Sequence, residues 1–98
     1  MTRTTKKQLD KFLTRLFALQ RECFKQGSKS SLEVRPIWSK DFSIYVVAYN
    51  ENINNPYVKE DGTKGLCHLR CFYIYSFDSV EGNEKVMKKI KDFLTYQN

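Results

Sequence analysis

The sequence is poor in the residues that most reactive centres need. It has one histidine, His68, and four glycines, and its acidic residues are outnumbered 11 to 17 by lysine and arginine. No Ser/His/Asp set, paired-carboxylate motif or glycine-rich phosphate loop can be read along it. His68, with Arg70 and Tyr73 nearby, has the acid–base group and cationic clamp of metal-free ribonuclease chemistry, but nothing fixes a partner for it. The chain is therefore expected not to be an enzyme.

No apolar run is long enough to span a bilayer. The charged start, Met1-Thr-Arg-Thr-Thr-Lys-Lys, runs into a helical pattern with Asp10 and Lys11, not into the apolar segment of a secretion signal. The expectation is a cytoplasmic protein without a membrane partner. Three cysteines, an odd number, then read as reduced thiols. Cys67-His68-x-x-Cys71, with Cys23 elsewhere, offers ligand types that zinc favours. On a strand, Cys67 and Cys71 would stand about 13 Å apart at about 3.3 Å per residue. That is too far to share an ion, so no metal and no cofactor are expected, and buried thiols are the better reading.

What is present is a small basic domain. The 98 residues fit one domain spanning 1–98. A hydrophobic fraction of 41% and an aromatic fraction of 14% exclude a disordered tail. The net charge of +6 suggests an anionic partner: nucleic acid, an acidic protein surface or a lipid headgroup. Residues 1–27 hold seven Lys/Arg and two Asp/Glu, a net of +5, and the other 71 hold ten and nine, a net of +1. The basicity belongs to the first segment.

That segment predicts a helix over about 5–26. Leu9, Phe12, Leu13, Leu16, Phe17, Cys23 and Phe24 recur as one apolar stripe. Thr5 and Gln8 form a capping-box pattern, and Gly27 is the natural stop. A strand is predicted at about 31–38, with Leu32, Val34 and Trp38 on one side and Glu33, Arg35 and Ile37 on the other. Pro36 marks it as an edge, or as bulged there. A second strand at about 42–50 places Phe42, Ile44, Val46 and Ala48 on one face and Tyr45, Val47 and Tyr49 on the other, and the two make a hairpin. Residues 50–65 form a long polar connection, or partly a long hairpin with Asp61-Gly62 near its tip. The third strand, about 66–77, has the length and aromatic content of a central, well-buried strand. Asp78 or Ser79 caps a last helix over about 80–96, with Val86, Met87, Ile90, Phe93 and Leu94 as its stripe. Gly82 places its firm start near Asn83. No internal repeat is present.

These elements predict an α+β fold of order α-β-β-β-α. Two amphipathic helices lie on one face of a three-stranded antiparallel sheet, in a two-layer domain. Leu32, Val34, Phe42, Ile44, Val46, Phe72 and Ile74 lie beneath the helices. The order is similar to that of double-stranded-RNA-binding domains, in which a basic start of the last helix grips phosphates. Lys85, Lys88 and Lys89 loosely resemble that feature, although acidic neighbours and the longer loop between strands two and three depart from the family's pattern.

Two surfaces are candidate sites. Lys7, Lys11, Arg15, Arg21 and Lys25 fall opposite the apolar stripe of the first helix and could contact nucleic-acid phosphates. The bland alternative is a solvated face, partly offset by Asp10 and Glu22. Tyr45, Tyr49, Tyr73 and Tyr75 fall on the sheet face away from the helices. Exposed aromatics there can stack unpaired bases, or cover a half-buried sheet or a dimer interface. The leading expectation is a binding module that contacts nucleic acid through the first helix. The alternative is a protein–protein accessory or inhibitor module, of the kind phage or mobile elements carry, that binds an acidic partner or forms a homodimer through its sheet.

Overall fold

The computed structural model describes residues 2–25, 29–37, 41–52, 56–58, 64–66 and 69–96. Helix α1 spans Lys6–Lys25. Strands β1 (Ser30–Ile37) and β2 (Ser43–Asn50) follow, then two short strands, β3 (Pro56–Val58) and β4 (Lys64–Leu66). Strand β5 (Leu69–Tyr75) and helix α2 (Val80–Thr95) complete the order. The main sheet runs β1-β2-β5, antiparallel throughout. Both helices pack on the same face of it, α1 over β1 and α2 over β2 and β5. The expected α-β-β-β-α order with both helices on one face is therefore present.

The capping box forms as its residues suggest. Thr5 N donates to Gln8 Oε1 at 2.8 Å, and Gln8 N donates to Thr5 Oγ1 at 3.1 Å. Two N–H groups that the helix cannot satisfy internally are thereby paired. The core then assembles from alternate strand residues and one stripe of each helix. It comprises Leu9, Phe12 and Leu16 of α1, Leu32, Ile44, Val46, Ala48, Phe72 and Ile74 of the sheet, and Met87, Ile90, Phe93 and Leu94 of α2. The helices run in the same direction. Arg15, midway along α1, meets Glu84 near the start of α2, and Cys23 shares a groove with Leu94 and Thr95 near the ends of both.

Three expectations need correction. The α1 stripe is narrower than the sequence suggests, since Phe17 is 44% exposed and Phe24 85% exposed. Each lies about 80–100° around the helix from Leu16 and faces past the sheet edge rather than onto it. Strand β5 is an edge strand and β2 the centre. An edge strand with one covered face has the same alternation and aromatic content as a central one, so Leu69, Arg70, Cys71 and Tyr73 are exposed while Phe72 and Ile74 are buried. Helix α2 begins at Val80, where its range was predicted, but its first turn is capped rather than loosened at Gly82: the Ser79 hydroxyl accepts from Gly82 N at 3.1 Å. A Cβ on Gly82 would sit 3.3 Å from that hydroxyl oxygen, so glycine suits the tight first turn.

The open question over residues 50–65 is answered in part. Pro56–Val58 pairs antiparallel with Lys64–Leu66 as a separate two-stranded sheet. Asp61-Gly62 and Trp38 lie outside the described residues.

Two asparagines are fully buried. Asn83, in the first turn of α2, uses its amide as a substitute strand. Its Oδ1 accepts from Tyr75 N at 3.3 Å, and its Nδ2 donates to Tyr75 O at 2.9 Å and to Thr4 Oγ1 at 2.8 Å. Thr4 in turn donates its N–H to Ser76 O and Asp78 O, tying the start of the chain to the turn after β5. Asn50, at the end of β2, caps the other end of α2. Its Nδ2 donates to Phe93 O at 2.7 Å and Tyr96 O at 3.0 Å, and its Oδ1 accepts from Asn52 N at 2.9 Å. Both ends of α2 are thus fixed to the sheet by buried amides, each well satisfied.

Candidate nucleic-acid interface

The apolar stripe of α1 faces the sheet, so the opposite side forms an outward crest. At about 100° per residue, Lys7, Lys11, Arg21 and Lys25 fall within about 40° of the line opposite Leu16, with Thr14 and Ala18 between them. All four cations are exposed. From Lys7 to Lys25 the line is about 27 Å long at about 1.5 Å per residue. No ion pair is formed by any of these four among the described residues. The positive end of the helix dipole adds to the field of Lys7 at the N-terminus.

Arg15, the fifth predicted cation, is placed differently. It turns toward α2 and grips Glu84 through two N–H···O bonds, with the Nη2–Oε2 arm at 3.0 Å. Its guanidinium also lies 5.4 Å from the centre of the Phe12 ring. This bidentate hydrogen bond raises the Arg15 pKa and holds the Glu84 carboxyl below its ordinary value. The structure therefore brings four of the five predicted cations onto one line and uses the fifth to join the two helices. Lys85, Lys88 and Lys89 are exposed on α2 but are interleaved with Glu81, Glu84 and Asp92.

The second candidate surface lies on the far side of the sheet. Tyr45 and Tyr73 are opposite each other in the ladder, with ring centres 5.0 Å apart. Tyr73 and Tyr75 stack at 5.5 Å, and Tyr75 and Phe77 at 4.4 Å. Three of the four predicted tyrosines thus come together. Tyr49 does not join them, because it pairs with Leu69 at the other end of the ladder. Phe77 completes the row instead. The sequence holds a signal for it, since Tyr73, Tyr75 and Phe77 keep the same two-residue alternation past the end of the strand. The Cys71 thiol, 3.1 Å from the Tyr45 hydroxyl, raises that hydroxyl's pKa through their hydrogen bond.

Among the described residues no three His, Cys, Asp or Glu side chains converge as metal ligands would. Cys67 and His68 lie outside those residues. Cys71 is exposed on the open sheet face rather than buried. Cys23 is half-buried, with its sulfur 3.7 Å from Ser30 Oγ. No helix among the described residues is long and apolar enough to cross a membrane.

No protein-family model, curated protein or solved structure matches this chain. The functional reading therefore rests on the surfaces themselves.

Proposed function

We propose that this chain is a small cytoplasmic binding module that contacts the phosphates of nucleic acid through the outer face of α1. The observation that carries this reading is the line of Lys7, Lys11, Arg21 and Lys25 along one exposed crest, with no ion pair among the described residues. A solvated face needs no such alignment. A phosphate backbone, with its regularly spaced negative charge, rewards it through counterion release. Arg15 contributes little to this contact, because Glu84 already engages its guanidinium.

Binding to duplex and single-stranded DNA and RNA, followed by fluorescence anisotropy at several salt concentrations, tests the proposal. Four phosphate contacts on duplex DNA give a log–log salt slope of about −3.6. Converting Lys7, Lys11, Arg21 and Lys25 together to glutamate abolishes binding while the circular dichroism spectrum is unchanged. Undiminished affinity in that variant, or a slope near zero for the native chain, refutes the reading. A nuclease-insensitive acidic protein partner lost in the same variant would reassign the crest to protein recognition.

A further inference from the structure

The sheet face turned away from the helices has no covering layer among the described residues, and its chemistry differs from that of the rest of the surface. Of the exposed large apolar side chains, Ile37, Leu69, Tyr73 and Phe77 lie on this side. Within β1, β2 and β5 its only charged side chains are Glu33 and Arg35, and they pair with each other at 2.6 Å. The remaining strand positions on it are Ser31, Ile37, Ser43, Tyr45, Val47, Tyr49, Leu69, Cys71, Tyr73 and Tyr75. On a chain of net charge +6 this is a face without net charge.

The aromatic row gives a second clue. Tyr73 and Tyr75 are within 1° of parallel, and Tyr75 and Phe77 within 20°. Each of these rings turns a face to its neighbour in the row. A nucleic-acid base needs a free ring face, and would have to prise the row apart. The row suits a flat apolar protein surface better than a string of bases.

We propose that this face binds a second copy of the chain, sheet against sheet. Charge selects the occupant. Two chains of +6 repel wherever their helices approach, and the open sheet face is where they can meet without opposing like charges. The size of the face sets the strength. Three strands at about 4.8 Å spacing and eight residues at about 3.3 Å give about 14 by 26 Å, or about 360 Å² in projection per copy. The accessible area lost is larger, because the side chains stand in relief. That places the pair near the threshold of about 1,000 Å² in total for a specific interface, the size class of weak and reversible contacts. With sheets packed about 10 Å apart, the two α1 crests would point in opposite directions.

Sedimentation equilibrium of the nuclease-treated full chain, from about 5 to about 500 µM, tests this. The expected result is a monomer–dimer equilibrium that strengthens as salt rises, because salt screens the repulsion between the +6 chains. Nucleic-acid binding through α1 would weaken under the same change, so the two proposals fail separately. Tyr73→Glu or Phe77→Glu places a charge on an exposed position of the face, and each should weaken the dimer by about tenfold or more while leaving the melting curve in place. Two variants guard against one that fails to fold. A native chain that stays monomeric to the highest concentration overturns the proposal. So does a dimer that both variants leave intact, and so does a Tyr73→Glu chain that keeps its mass distribution but loses affinity for single-stranded RNA.

Discussion

Replacing Asn50 is the sharpest test of how the helical layer is held to the sheet. The residue is fully buried, and its amide is the only donor identified for the carbonyls of Phe93 and Tyr96 among the described residues. In Asn50→Ala, Phe93 O loses a partner at a site that water does not reach, which costs about 1–3 kcal/mol. Tyr96 is 40% exposed, so its carbonyl can recruit water and should add less than about 1 kcal/mol. The small void left by the side chain brings the total to about 3 kcal/mol. With a urea m-value of about 1.5 kcal/mol/M, the unfolding midpoint drops by about 2 M. Asn50→Asp is the more searching variant, because it keeps the shape and removes the donors. The carboxylate would face backbone carbonyls at the negative end of α2, so its pKa in the folded state is raised. A raised value means that the protonated, donating form supports the fold at low pH. Relative to the native chain, stability then falls as pH rises from the ordinary aspartate value of about 3.9 through the raised one, and stays low above it. Urea titrations of both variants between acid and neutral pH give the answer. A midpoint shift below about 0.5 M for Asn50→Ala, or an Asn50→Asp chain whose deficit does not shrink in acid, would refute the capping role.

The other predictions concern single contacts. Thr5→Ala removes half of a reciprocal cap and should cost about 1 kcal/mol, with amide exchange accelerated in the first turn of α1 before the rest of the helix. Glu84 is held below its ordinary pKa, so its ion pair contributes above about pH 4.5 and is lost as pH falls through the lowered value. Glu84→Gln should flatten that acid limb by less than about 1 kcal/mol, because both side chains are about half exposed. The Ser76 hydroxyl is buried without a hydrogen-bond partner among the described residues, so Ser76→Ala should be neutral or stabilising by up to about 1 kcal/mol in thermal unfolding.

Much of this fold could be read from short-range chemistry. The Thr5–Gln8 box and the Ser79 cap are local contacts, and both formed where their residues pointed. Pro36 marked an edge because it lacks an N–H. The ladder bond from Glu51 N to Lys29 O sets the alternation of β1, and that alternation turns the Pro36 nitrogen to the free side. The same phase turns Leu32 O outward, where Gln20 Nε2 of α1 meets it at 2.8 Å.

What escaped the sequence was long-range. Alternation in β5 tells which residues share a face, but not what lies beyond that face or beside that strand, so an aromatic edge strand passed for a central one. Asn50 and Asn83 carry no local mark of burial, since their partners are a helix end 43 residues away and a threonine 79 residues away. The crest cations were visible as a set, but Arg15 could be separated from them only once Glu84 was in place.

The Thr4–Asn83 hydrogen bond has a kinetic consequence. It spans 79 positions of a 98-residue chain, and Thr4 Oγ1 reaches Asp78 O across 74 more at 2.7 Å. Closing so long a loop before anything rewards it is entropically unfavourable, so this junction should form after the β1–β2 hairpin and α1 are in place. On a ribosome it would form only once most of the chain has emerged. Its bonds would then be absent from the folding transition state, so weakening them should hasten unfolding and hardly slow folding. The lifetime of the folded chain, more than the speed with which it is reached, would be set where its fourth residue meets the start of its last helix.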